Sequence, residues 1–163
     1  MKRKGFTLIE VLMAVALFSV LVAVVFSMYF VGTKTFSIAV DQSFIQKQAR
    51  TAADFISKEL RTAKAISIDP MSFSGEDCYI LQLKDKNGES YLVKTTKQGG
   101  QQSDAFVVPL SEMTFSSSNS NMLSVYVKAG DIRMYEINFD VRLENISAVS
   151  IQQGSTVIYY SKY

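Results

Sequence analysis

The sequence contains no histidine and no tryptophan, one cysteine and two prolines. Without histidine there is no Ser-His-Asp or Cys-His catalytic set and no His-ligated zinc. Cys78 alone closes no internal disulfide and forms no cysteine cluster, and it reads as a half-buried strand thiol. Neither a Walker-type phosphate loop nor a dinucleotide-binding glycine fingerprint occurs. Asp131, Glu136, Asp140 and Glu144 come nearest to an acidic group. Three of them lie in or beside an alternating strand pattern, where a solvated face is the default. A calcium site would need several oxygens to converge. No catalytic residue, metal or cofactor is therefore expected, and the chain reads as a non-enzyme.

Charge is scarce in two senses. Seventeen basic residues face fifteen acidic ones, a net charge of +2. Three of the basic residues are Lys2, Arg3 and Lys4; without them the balance is −1. No basic excess remains to argue for nucleic acid. Charge is also missing from one long stretch: after Glu10 no Lys, Arg, Asp or Glu occurs until Lys34. At ~1.5 Å per residue, residues 11–33 reach about 35 Å, enough to cross hydrocarbon. A cleaved secretory signal would have a core of only ~7–15 apolar residues and a small-residue cleavage site, and neither fits here. Lys2, Arg3 and Lys4 would orient the segment with its front end in the cytoplasm. About 130 residues remain for a head outside, enough for a modest core.

Glu10 is the anomaly. A carboxylate in hydrocarbon costs roughly 2.5–3.5 kcal/mol on insertion scales. A cut between Gly5 and Phe6 would resolve it. Phe6 would then carry a cationic amine one helical turn from Glu10, in its own chain or a neighbour's. The acid would also face the positive end of the helix dipole. Paired charge is tolerated in an apolar medium where lone charge is not.

"KGFTLIEV", residues 4–11, followed by an apolar run and an amphipathic helix, resembles the N-terminus of type IV pilins and type II secretion pseudopilins. The resemblance is strong over residues 2–33 and weaker over 34–66. It implies that residues 1–5 are a leader removed by a prepilin peptidase cutting after Gly5, and that Phe6 is N-methylated. It further implies that Glu10 meets the N-terminus of an adjacent subunit during filament assembly. The implied partners are the peptidase, other pilin or pseudopilin subunits, the cytoplasmic membrane and an assembly platform. The implied location is a single-pass membrane protein first, and an envelope filament later. Many major pilins carry a proline within the apolar segment, and this chain has none there. "QARTAADFISKELRTAKAI", residues 48–66, resembles minor pilins of the PilW and pseudopilin J kind. The expectation is a minor subunit of a type IV pilus or pseudopilus. The alternative is a filament-displayed binding module for DNA or surfaces.

Ile45, Ala49, Ala52, Ile56, Leu60 and Ala63 recur at steps of three and four, one face of an α-helix. No proline precedes Pro70, so one helix is expected from near Phe6 to about Ile66, ended by Pro70 and Gly75. Its first part, residues 6–33, would be the membrane and filament-core segment. Residues 34–68 would be amphipathic, and 69–163 a head. Asn87-Gly88 marks a β-hairpin. Residues 99–104 read as a loop, and 105–110 as an edge strand ending near Pro109. "SSSNSN", residues 116–121, reads as a surface loop. Residues 122–128 and 133–143 read as a second hairpin, and 146–152 with 156–163 as a third. Asn145 is taken as a strand residue, and Tyr159, Tyr160 and Tyr163 as tyrosines of a half-wet strand. The expected class is α+β: a long helix on an antiparallel sheet whose other face is wet.

Overall fold

A computed structural model describes residues 5–73, 77–119, 121–146, 151 and 154–162. The elements run α1 (Leu8–Arg61), β1 (Ala65–Ser67), a 3-10 turn (Pro70–Phe73), β2 (Cys78–Lys86), β3 (Glu89–Gln98), β4 (Gln101–Pro109), β5 (Glu112–Asn119), β6 (Met122–Ala129), β7 (Tyr135–Arg142) and β8 (Ile158–Ser161). The class is α+β, with a long N-terminal helix and antiparallel sheets. The chain divides into two compact units, Met1–Gln42 and Ser43–Tyr163. Lys2, Arg3, Lys4, Gly75, Ser147 and Tyr163 lie outside the described residues.

The first unit is helical. Its apolar side chains stand exposed, and an 18-residue window of mean hydropathy 2.8 has none of its residues buried. Two of its hydroxyls turn back on the helix. Ser19 Oγ donates to the Ala16 carbonyl at 2.8 Å and Thr33 Oγ1 to the Phe30 carbonyl at 3.0 Å. Such back-bonding satisfies the hydroxyls locally and leaves the surface apolar. By length and composition the segment can cross a membrane.

In the second unit the last turns of α1 lie on the head. Ala49, Ala52, Ile56 and Leu60 are fully buried, as their spacing requires. The helix stops at Arg61, five residues short of the expected end, and Ala65–Ser67 is a strand. The stop is tertiary. Lys64 N–H donates to the Ser161 carbonyl at 2.8 Å, which starts the β1–β8 ladder. The freed helix-end carbonyls are met by the segment after β7. Glu144 N–H donates to Arg61 O, and Asn145 Nδ2 to Thr62 O. Asn145 therefore sits in a bend beside the helix end and not in a strand.

The single expected sheet is two sheets. One has five strands in the order β1-β8-β2-β3-β4, the other three in the order β5-β6-β7. One apolar core joins both to α1, with Leu81, Leu92, Met113, Phe115, Leu123 and Ile158 among its members. The face of the five-stranded sheet opposite α1 is not simply wet. Ile80, Val93 and Thr95 alternate with core residues such as Leu81 and Leu92 and are buried too, as is Phe73 of the 3-10 turn.

The β2–β3 hairpin turns on Asn87 (φ 60°) and Gly88 (φ 84°), both left-handed, as a tight hairpin demands. β4 is the expected edge strand with Pro109 at its end, but it begins at Gln101, so residues 101–104 are strand and not loop. Likewise Ser116 and Ser117 continue β5, paired with Ser124 and Leu123. The β6–β7 hairpin is as expected, with Tyr135, Ile137, Phe139 and Val141 on the inner face. The third hairpin is not seen among the described residues. β8 pairs with β1 and β2, and Ile146 and Ile151 lie outside strands; the rest of 147–152 is outside the described residues.

Candidate assembly site

The site is built at the start of α1. Leu8 opens the helix, and Thr7 stands just before it. Glu10 reaches back: Thr7 N–H donates to its Oε2 at 2.8 Å, and Thr7 Oγ1–H donates to the same oxygen at 3.0 Å. Glu10 N–H in turn lies 3.4 Å from Thr7 Oγ1. This is a reciprocal capping box, in which a threonine and an acid three residues on satisfy two orphan helix-end donors. The sequence signal for it, Thr7-x-x-Glu10 ahead of an apolar run, is present and was not part of the expectation above. The carboxylate thus has a local partner in Thr7, where the sequence suggested the Phe6 amine.

Glu10 is not walled off by that bond. It shares an open, apolar groove with Phe6, Val11, Ala14, Val15 and Phe18. Ala14, one turn beyond Glu10, is the smallest of the lining side chains. Phe6 is 88% exposed, and Gly5 has open space around it. Gly5 and Phe6 therefore precede an accessible helix start that carries Glu10 in its first turn.

Residues 1–26 match the family model of the prokaryotic N-terminal methylation motif. No curated protein and no solved structure matches the chain. The matched stretch takes in Lys2, Arg3, Lys4, Gly5, Phe6, the capping box and most of the apolar run. It supports a type IV pilin or pseudopilin subunit. The part of the chain behind the motif is characterised by its own geometry alone.

That geometry contains a second polar cluster that the sequence did not reveal. Glu59, on the α1 stretch over the sheets, accepts three hydrogen bonds at one oxygen: from Tyr160 Oη at 2.5 Å, Lys94 Nζ at 2.8 Å and Lys162 Nζ at 2.9 Å. Burial pushes the Glu59 carboxyl up, but the bonds from Lys94, Tyr160 and Lys162 outweigh it and hold the pKa at about 2. Burial first, and then the Glu59 bond, push the Tyr160 hydroxyl far above its ordinary value, so it remains a donor. Lys94 also sits 4.7 Å over the Tyr79 ring, and Tyr79 stacks on Tyr160 at 5.4 Å. Tyr160 is therefore a buried core residue, and not part of a half-wet strand as expected. Its period and neighbours carry no sign of a helix partner about a hundred residues earlier.

The four acids singled out in the sequence are dispersed. Ser111 Oγ–H donates to Asp131 at 3.3 Å and Ser124 Oγ–H to Asp140. Lys128 lies 4.0 Å from Glu136, and Arg61 pairs with Glu144 at 2.6 Å. Among the described residues no three His, Cys, Asp or Glu side chains are grouped to hold a metal ion.

Proposed function

We propose that the chain is a minor subunit of a type IV pilus or pseudopilus. It enters the cytoplasmic membrane with the head outside, loses residues 1–5 to a prepilin peptidase, and is methylated at Phe6. It then leaves the bilayer for a helical filament, in which neighbouring helices cover the apolar segment. The exposed Glu10 beside Phe6, inside the methylation motif, carries this reading. Once Phe6 has a free amine, a neighbour's N-terminus in the groove gives Glu10 a charged partner, and one such pair per subunit would fix axial register. Four lysines of the head, each engaged with a carboxylate, favour this role over nucleic-acid capture. Lys84 is committed to Asp104, Lys94 and Lys162 to Glu59, and Lys128 to Glu136.

Intact-mass and N-terminal peptide spectrometry of the protein from its host tests the proposal. The expected product begins at Phe6 and carries one added methyl group. A mature chain that still begins at Met1 overturns it.

A further inference from the structure

The three-stranded sheet carries a hollow on the face turned away from the core. Leu123, Val125 and Val127 of β6 are buried, so Ser124, Tyr126 and Lys128 look outward. Register then lines up two rungs across the sheet: Thr114, Tyr126, Asn138 and, beside it, Ser116, Ser124, Asp140. Wet strand faces usually carry long charged side chains. Here short hydroxyl residues flank a tyrosine, and they leave a hollow of about 370 Å³, within the usual range of small-ligand sites.

The hollow is organised. Tyr126 lines it from the rung it shares with Thr114 and Asn138, next to the short Ser116-Ser124-Asp140 rung. The Ser124 hydroxyl donates to Asp140 and leaves the other carboxylate lone pairs free for further donors. Asn138 adds a carbonyl and two N–H donors, and Thr114 and Ser116 add hydroxyls. No cationic side chain lines it. Lys128, on the next rung, lies between Glu112 and Glu136 in register and 4.0 Å from the latter.

We propose that this hollow binds a neutral pyranose, such as the end of a surface glycan. Sugar hydroxyls both donate and accept, and so match the mixed donors and acceptors of the six residues. Its hydroxyls can bridge Asp140 and Asn138, and its C–H face can lie on the apolar Tyr126 ring. Phosphate and sulfate are disfavoured, because Asp140 is the one charged side chain among the described residues that line the hollow. The site is independent of the helix-start chemistry and of which filament the chain enters.

The test uses the full chain in a zwitterionic, sugar-free detergent, with saturation-transfer NMR against methyl α-mannoside, methyl β-galactoside, methyl β-glucoside and N-acetylglucosamine. At least one is expected to bind at about millimolar concentration. Asp140→Asn and Tyr126→Ala are each expected to weaken that binding tenfold or more, and Tyr126→Phe to retain it. Lys97→Gln, on the other sheet, should change nothing. Thermal melts of each variant show whether the head is still folded. No transfer to any of the four sugars overturns the proposal, and so does transfer that survives both Asp140→Asn and Tyr126→Ala. Binding of single-stranded oligo-dT that strengthens in Asp140→Asn would overturn it as well, by showing an anion site.

Discussion

Glu59 and Tyr160, 101 positions apart, meet in a 2.5 Å hydrogen bond between α1 and β8. Lys94 and Lys162 close on the same oxygen, so one carboxylate holds the helix to two strands of the five-stranded sheet. The side chain is only 13% exposed, which keeps solvent screening low.

Glu59→Gln should therefore cost about 2–3 kcal/mol, because a buried tyrosine hydroxyl and two lysines lose a charged acceptor. The effect has a pH signature. A carboxyl whose folded pKa is about 2, against 4.5 unfolded, stabilises the fold above pH 4.5 and loses that contribution as pH falls toward 2. Denaturant melts of the full chain in detergent should show this acid-side loss in the parent protein and a flatter profile in Glu59→Gln.

At the helix start two roles of Glu10 can be separated. Glutamine keeps the capping geometry but has no charge. Glu10→Gln and Glu10→Ala should both reduce filament yield while leaving leader removal intact, if charge pairing sets register. If Glu10→Gln assembles normally and Glu10→Ala does not, capping is the whole of its contribution. Thr7→Ala removes the cap alone and should cost about 1 kcal/mol of helix stability. Quantified sheared filaments and processed subunit provide the comparison.

Gly130 has φ +82°, and a Cβ there would stand 2.1 Å from the Arg133 carbonyl oxygen and 3.2 Å from Ile45. Gly130→Ala should destabilise the head by about 1–3 kcal/mol through strain and displacement of the β6–β7 loop. Gly154 has nearly the same φ, +81°, with open space around it, so Gly154→Ala should cost about 1 kcal/mol. Calorimetry of the pair isolates the steric part.

Phe115 is fully buried, and its backbone bridges Ser155 in both directions. Phe115→Ala should cost about 3–5 kcal/mol. Phe106, 41% exposed on edge strand β4 with Tyr91 and Lys86 against its ring, should cost under about 1 kcal/mol when truncated. Thermal melts should rank the two clearly.

Local patterns in the chain were legible where local physics decides. The three-to-four spacing from Ala49 to Leu60 is the buried helix face, and Asn87-Gly88 is a tight hairpin. The alternation from Tyr135 to Val141 is an inner sheet face. What failed depends on partners far away. Nothing near Arg61 says stop; the stop comes from Ser161 and Glu144. Residues 101–104 and 116–119 are polar enough for loops, yet ladder bonds to β3 and β6 hold them extended. Tyr160 looks like Tyr159 until Glu59 arrives beneath it. The capping box is different: Thr7-x-x-Glu10 ahead of an apolar run is itself a local signal.

β8 lies between β1 and β2, with Ala65 opposite Ser161 and Leu81 opposite Ile158. On a ribosome, β1 therefore has no strand joining it to β2 until residues 158–161 emerge. The apolar helix is made first and the strand that closes the head comes some hundred residues later. A chain with this order commits to the membrane while its head is still open, and the Glu59 oxygen waits for Tyr160 and Lys162 to arrive.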